Sequence, residues 1–370
     1  MSQFLKNPFD EMTDVLHNNT RIKKIVPITS PACMLNELPL TEKANTTVIN
    51  ARNEISNILN NKDDRILLIC GPCSIHNIDS AYEYGEKLYK LSQLVKNNVL
   101  IVMRTYFEKP RTTYGWKGLI NDPHLDGTYK INQGMMMARK LLINLNTLGL
   151  PCGYECLDVI TPQYIADAIS WAAIGARTTQ SQIHRQLSSG LSMPVGFKNG
   201  TFGRDESILI AVNAIISARH EHCLLGITQQ GLVAIVHTEG NEDTHIILRG
   251  TNNGPNYEEK YIKAAREQCL ENNVECKIMV DCSHGNSGKN YKNQHKVLEN
   301  ICEQLSNGNN IIMGVMLESN LVEGKQKLDF GTSKQLEYGK SITDCCISFE
   351  ETEKLVHMLS NAVENRRLHK

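Results

Sequence analysis

ILLICGPCSIH, Ile66–His76, is an apolar run of strand length, stopped by Gly71-Pro72 and closed by Cys73 and His76. Seven similar runs follow: VLIVMR from Val99, CGYECL from Cys152, AAIGAR from Ala172, PVGFK from Pro194, HIILRG from His245, KIMVDC from Lys277 and IIMGVML from Ile311. Helix-length segments separate and follow them, at Ser80–Lys96, Tyr129–Leu148, Pro162–Trp171, Gln180–Leu187, Glu206–Arg219, Glu258–Glu271, Tyr291–Leu305 and Glu350–Asn365. Eight strands, each followed by a helix, predict an α/β fold closed as a (β/α)8 barrel, an alternation shared with open doubly wound sheets. Two further apolar runs, HCLLGIT and LVAIV, flank QQG and read as an inserted hairpin at about residues 222–238, before the sixth strand. Residues 1–60 precede the first strand as an extension suited to subunit contacts or regulation, which leaves residues 61–370 as the barrel domain.

The chain has 370 residues, 41% of them hydrophobic, ample for a core of this size. Thirty-nine Lys and Arg stand against 40 Asp and Glu, so there is no overall footprint for nucleic acid or an anionic membrane, and any basic site is local. The amino terminus has no signal-peptide pattern and no run is long enough to span a bilayer, which predicts a cytoplasmic protein. The 12 cysteines are spread over a long chain, and Cys70, Cys223 and Cys282 sit inside strand-like runs. Most therefore read as reduced packing residues. In a protein that is not secreted, the sequons at Asn18, Asn45 and Asn199 carry little meaning.

Chemistry in such barrels gathers where the strands end. The predicted ends carry Cys73 and His76, Arg104, Glu155, Arg177, Lys198, Arg249, then Asp281, Cys282, Ser283 and His284, and finally Glu318. Nearly all are polar or charged, and a buried charge is costly unless paired or liganded. Arg104, Arg177, Lys198 and Arg249 suit a substrate carrying several negative charges. The loop EKPRTTYGWKG adds Lys109 and Arg111 around Pro110, followed by Thr112 and Thr113, so that a fixed backbone presents two cations and two hydroxyls.

Cys73 admits four readings from its surroundings: packing, a bridge, a nucleophile with His76 as base, or a metal ligand. His284, Glu318 and Asp344 in GKSITDCC can converge on the same rim. One thiolate, one imidazole and two carboxylates would suit Mn2+, Fe2+, Co2+ or Zn2+ better than Mg2+. SHGNSGKN is not a phosphate-binding loop of the Walker type, because Ser283 stands where Gly is required and Asn290 follows Lys289. GTFG and GPCS make no dinucleotide fingerprint.

GPCSIH, EKPRTTYGWKGLINDPHLDG, AAIGARTTQSQIHRQLSSGL, PVGFKNGT, DCSHGNSGK, GVMLESNLVEG and YGKSITDCCISFE resemble, in order and spacing, class I 3-deoxy-D-arabino-heptulosonate-7-phosphate (DAHP) synthases. The resemblance runs from about Arg21 to the end. It implies a (β/α)8 barrel with an amino-terminal extension and an extra hairpin. It also implies condensation of phosphoenolpyruvate with erythrose 4-phosphate at the head of the shikimate pathway, in a homodimer or homotetramer. The metal ligands would be Cys73, His284, Glu318 and Asp344. Phosphoenolpyruvate would be held by Arg104, Lys109, Glu155, Arg177, Lys198 and Arg249, and the aldose phosphate by Lys109, Pro110, Arg111, Thr112 and Asp344. Lys109 and His284 are the expected proton carriers, beside Cys73. The resemblance also allows a Cys73–Cys346 disulfide that would silence the site when the metal is absent, with inert packing as the other reading.

The chain departs from the family pattern at Gln180, Phe202 and Gln229, each replacing a charged group. Members bind an aromatic amino acid near the hairpin, and here the matching region comprises Asn18, Asn19, Gln163, Ser192, Leu224 and Gly226. Asn18 and Asn19 stand where acids are usual, which should weaken capture of an ammonium group. The expectation is altered or absent feedback, with tyrosine favoured over phenylalanine. Two alternatives are a synthase for another phosphorylated aldose, such as arabinose 5-phosphate, and a catalytically silent regulatory partner.

Overall fold

A computed structural model describes residues 19–111, 113–203, 205–328 and 336–369. The apolar runs form β1 (Ile66–Gly71), β2 (Val99–Arg104), β3 (Cys152–Glu155), β4 (Trp171–Ile174) and β5 (Val195–Lys198). After the antiparallel hairpin of β6 (His222–Ile227) and β7 (Val233–Thr238) come β8 (Thr244–Leu248), β9 (Ile278–Asp281) and β10 (Ile312–Glu318). The eight strands outside the hairpin close into a parallel barrel in the order β1-β10-β9-β8-β5-β4-β3-β2. Their runs are apolar without interruption because both faces are covered, by helices outside and by side chains inside.

Along β1, Ile66, Leu68 and Cys70 pack outward, while Leu67 and Ile69 join Leu100, Val102, Trp171, Ala173, Ile247, Met279 and Met316 in the interior. The helices are α1 (Pro31–Glu37), α2 (Glu42–Leu59), α3 (Ile78–Val95), α4 (Ile131–Leu148), α5 (Pro162–Ile165), α6 (Gln182–Ser189), α7 (Asp205–Ala218), α8 (Glu259–Glu271), α9 (Gln294–Ser306) and α10 (Phe349–Arg367). Asn77 caps α3 by accepting from Ser80 N, and Ser348 caps α10 by accepting from Glu351 N. Helix α2 closes the amino-terminal mouth. Its Ile55 and Ile58 complete the interior cluster, and Arg52 donates to the carbonyls of Ala166 and Ile169. No helix among the described residues is long and apolar enough to cross a membrane.

Three expectations change. The helix expected from Tyr129 begins at Ile131, since Tyr129 is held at φ +50°, outside helical space. The helix expected over Pro162–Trp171 is a single turn, α5, followed by a 3-10 turn at Ala166–Ala168. Arg139 takes the Tyr164 carbonyl and Arg52 takes those of Ala166 and Ile169, so the turn ends satisfied and Trp171 can open β4. Cys223, expected to be packed, is exposed, because the hairpin has one face turned away from the barrel.

Candidate active site

Side chains alternate along a strand, so the interior parity continues to the strand ends. Val102 predicts an inward Arg104, Gly153 an inward Glu155, Ile247 an inward Arg249, Met279 an inward Asp281 and Met316 an inward Glu318. The carboxyl mouth therefore collects charge while the opposite mouth is filled with apolar groups. A cavity of about 460 Å³ opens there, lined by Lys109, Glu155, Arg177, Lys198, Arg249, His284, Glu318 and Asp344 among others.

Arg104 lies beneath this cavity, fully buried. Its guanidinium sits 3.5 Å from the ring centre of Tyr106. It donates to the carbonyls of Pro72 (3.1 Å) and Cys73 (3.2 Å) and to Glu318 Oε1 (3.1 Å). It thus ties the β1 end, where Cys73 stands, to the β10 end. Barrel closure pairs Gly71 with Glu318 directly. The segment carrying Asp344 is held to the same edge by Ile347 N donating to Glu318 O (3.0 Å) and by a Ser74–Thr343 hydroxyl contact (2.7 Å).

As a result the candidate ligand atoms of Cys73, Glu318 and Asp344 lie within 4.8 Å of one another. Cys73 Sγ is 3.6 Å from Asp344 Oδ2, and Lys109 Nζ is 3.7 Å from that oxygen. His284 stands at the edge of the group, Nε2 3.8 Å from Glu318 Oε1. Its backbone is held at φ +52°, unusual for a residue other than glycine. Gly285 permits this arrangement: its N–H donates to Arg249 O (2.9 Å), and a Cβ there would meet the Gly250 carbonyl carbon at 2.8 Å. On its other side, His284 Nδ1 is 2.9 Å from Asp281 Oδ2. Asp281 is fully buried, with Lys198 Nζ at 3.2 Å and Ser283 Oγ donating at 2.7 Å. His284 Nδ1 also lies 2.7 Å from Ser283 Oγ, so this nitrogen is engaged on the Asp281 side and Nε2 is the one turned toward Glu318.

Charge sets the ionisation. Burial raises the carboxyls of Glu318 and Asp344, but His284 with Arg104 and Lys109 for the first, and Lys109 with His284 for the second, hold both below the usual range. Burial also opposes the charge on Lys109, yet Cys73 and Glu318 beside it raise its ammonium above the ordinary value. The Cys73 thiol is pushed up to about 11 by burial first and by Glu318 second, so it needs a cation to become a thiolate near neutrality.

The set is mixed sulfur, nitrogen and oxygen, three of its donors converging and the imidazole adjacent, which fits a transition-metal dication. Of the residues anticipated for phosphates, Arg177, Lys198, Arg249, Lys109, Arg111 and Pro110 line the cavity; Thr112 and Asn18 lie outside the described residues. His76 is turned away among Asn77, Asp79 and Tyr82, far from serving Cys73 as a base, and burial holds its imidazole down at about 4. In the anticipated effector region, Gln163 Oε1 accepts from Gln229 Nε2 (3.2 Å), and Ala32 N donates to Gln229 O (2.7 Å). Gln163, the hairpin turn and the extension therefore meet, with Leu224 paired to Val236 and Gly226 to Ala234 on the hairpin above. Asn19 and Ser192 are exposed.

Several site residues escaped sequence reasoning. Asp281 was visible at a strand end, yet its role as partner to both His284 and Lys198 was not. Lys289, Tyr291 and Lys325 also line the cavity. Among the described residues this makes seven cationic side chains against the carboxylates of Glu155, Glu318 and Asp344. Glu108, buried behind the loop, accepts from Tyr154 OH, which neighbours Glu155.

A model of the DAHP synthetase I family matches residues 38–357. The chain is 51% identical over 351 residues to the Phe-sensitive phospho-2-dehydro-3-deoxyheptonate aldolase of Escherichia coli K12, covering 95% of this chain and 99% of that protein. It is 46% identical over 363 residues to the tyrosine-inhibited enzyme of the same name from Schizosaccharomyces pombe, covering 97% of each. The solved phospho-2-dehydro-3-deoxyheptonate aldolase of Francisella tularensis superposes with a TM-score of 0.90 at 47% identity, over 93% of this chain and 99% of that one. With a family match across most of its length and relatives near half identity over nearly all of it, the chain belongs to the DAHP synthetase I family.

Proposed function

We propose that this cavity condenses phosphoenolpyruvate with erythrose 4-phosphate and water to give DAHP and phosphate, the first step of the shikimate pathway. The observation that carries the reading is the convergence of Cys73, Glu318 and Asp344, with His284 at their edge, under a ring of cations. Two phosphates and a carboxylate repel one another in water; Arg177, Lys198, Arg249 and Lys109 neutralise phosphoenolpyruvate, while Arg111 and Lys325 are placed for the second phosphate. Cys73, His284, Glu318 and Asp344 would hold one dication, Mn2+, Fe2+, Co2+ or Zn2+, which supplies Lewis-acid polarisation of the aldehyde oxygen when bound.

Lys109 Nζ stays protonated beside Asp344 and can give a proton to the oxygen that becomes the new hydroxyl as the enol carbon bonds to the aldehyde carbon. Water then adds at C2, and phosphate departs with cleavage of its bond to carbon. Glu155, inward at the β3 end, is placed to accept a proton from that water. Asp281 keeps His284 and Lys198 oriented throughout.

The extension, residues 1–60, and the hairpin serve subunit contact and regulation in this reading, within a cytoplasmic homodimer or homotetramer. Feedback is altered or absent in this reading; Gln163, Leu224 and Gly226 form the part of the effector region nearest the barrel, and of the effectors that could act there tyrosine is favoured over phenylalanine. Inhibition of the purified enzyme by micromolar phenylalanine would overturn that preference.

The test of the reaction is phosphoenolpyruvate consumption with erythrose 4-phosphate or arabinose 5-phosphate, with and without Mn2+. Rapid, Mn2+-dependent turnover with erythrose 4-phosphate alone is expected. Faster turnover with the pentose phosphate, or none with either, would reject the assignment.

A further inference from the structure

Away from the reaction cavity, Cys269 near the end of α8 and Cys276 ahead of β9 face each other with their sulfurs 2.6 Å apart. Both are buried, at 0% and 5% exposure. The chain is folded back to bring them together. Asn272 N and Val274 N both donate to Cys269 O (3.1 and 2.9 Å), and Asn273 takes the left-handed conformation at φ +58° that reverses the direction. Two guanidiniums border the pair: Arg219 donates to Glu275 O (3.3 Å), and Arg266 lies 3.5 Å from Glu275 Oε1. Positive charge next to paired thiols favours one as a thiolate and the other as its S–H donor, and the neighbouring sulfur followed by these arginines holds Cys269 below the ordinary thiol value despite burial. A disulfide places sulfurs at roughly 2.05 Å, so the two sulfurs here lie roughly half an ångström from bonding distance, well inside the contact of two unbonded sulfurs.

We propose that Cys269 and Cys276 are a redox modification site, oxidised by a hydroperoxide to an intramolecular disulfide that fastens the end of α8 to the start of β9. The Cys269 thiolate attacks the terminal peroxide oxygen, the O–O bond breaks, and the departing hydroxide, or the alkoxide of an organic hydroperoxide, takes up a proton as water or alcohol, leaving a sulfenic acid. Cys276 then attacks that sulfur; the S–S bond forms, the S–O bond breaks, and the Cys276 proton leaves with the hydroxide as water. The two sulfurs are oxidised and the peroxide is reduced. The site sits at the amino-terminal end of β9, opposite the mouth that holds Cys73, so the reaction cavity is left intact.

Both cysteines fall in one tryptic peptide, Glu267–Lys277, which makes the test direct. The reduced, Mn2+-loaded enzyme is treated with hydrogen peroxide, alkylated with N-ethylmaleimide, digested and weighed. The expected peptide carries no adduct and lacks two hydrogens, and dithiothreitol before alkylation restores two adducts. In parallel, peroxide should raise the thermal midpoint of wild type and not of Cys276→Ala or Cys269→Ala, with DAHP synthesis unchanged by either substitution. Two adducts after peroxide, or a Glu267–Lys277 peptide oxidised to sulfinic acid without the internal bond, would overturn the proposal.

Discussion

Replacing Glu108 with Gln tests whether the buried contact behind the substrate loop is electrostatically costly. Glu108 is 5% exposed, and burial pushes its carboxyl up to about 7, against the Tyr154 hydroxyl that partly offsets the effect. In the unfolded chain the same group ionises near 4.5. Between those two values the folded protein binds a proton that the unfolded chain has lost, so stability falls as pH rises through this window and stays reduced above it. The full penalty is about 3.5 kcal/mol, from about 2.5 pH units at about 1.4 kcal/mol each. Most of it develops between pH 5 and pH 8, roughly 2.5 kcal/mol. Gln cannot ionise and still offers an oxygen to Tyr154. Urea unfolding of wild type and Glu108→Gln at both pH values isolates the term, since every other group titrates in both proteins. The advantage of the variant should grow by roughly 2.5 kcal/mol from the lower pH to the higher. An advantage that does not change with pH would refute the account, and would mean that Glu108 stays ionised beside Lys109.

Asp281→Asn leaves the Lys198 ammonium buried without its counter-charge and His284 without the carboxylate beside Nδ1; it should cost about 3–5 kcal/mol in unfolding and weaken Mn2+ binding about 10–100-fold in a fluorescence titration. Lys325→Ala removes a cation from the cavity wall that the proposed proton transfers do not use, so KM for erythrose 4-phosphate should rise with kcat nearly kept, as read in initial-rate kinetics. Ile55→Ala opens a hole in the apolar plug at the far mouth, and should lower stability by about 2–5 kcal/mol in chemical denaturation while leaving kcat unchanged.

The barrel was legible because its strands are covered on both sides, so ILLIC and VLIVMR stand out without alternation to decode. The ring of charge at the strand ends was legible for the same reason, since Arg104, Glu155, Lys198 and Glu318 interrupt apolar runs where only a functional mouth tolerates them. Local rules failed where tertiary partners decide. Arg139 takes the Tyr164 carbonyl of α5 and Arg52 the Ala166 carbonyl just beyond it, both from elements distant in sequence, and no periodicity reports that. Lys289 sits in a turn and Lys325 ends a short strand outside the barrel, Val322–Lys325, so both reach the cavity only after the chain has turned, and the pairing of Asp281 with Lys198 spans two strands that are not neighbours in the sheet.

The donor set shows how far fold and site depend on one another. Cys73 follows the first barrel strand and Glu318 ends the last, and they meet because β1 and β10 are hydrogen-bonded, with Gly71 opposite Glu318. Asp344 then reaches Cys73 through the Ser74–Thr343 contact and the Glu318–Ile347 backbone bond. An open doubly wound sheet built from the same runs has no bond between its first and last strands of this kind, and its crevice would separate the thiol from the carboxylates. Closure is therefore what converts four scattered residues into a candidate metal site. Any change that slips the β1–β10 register by one residue would turn Glu318 outward and dissolve the set, whatever becomes of the individual side chains.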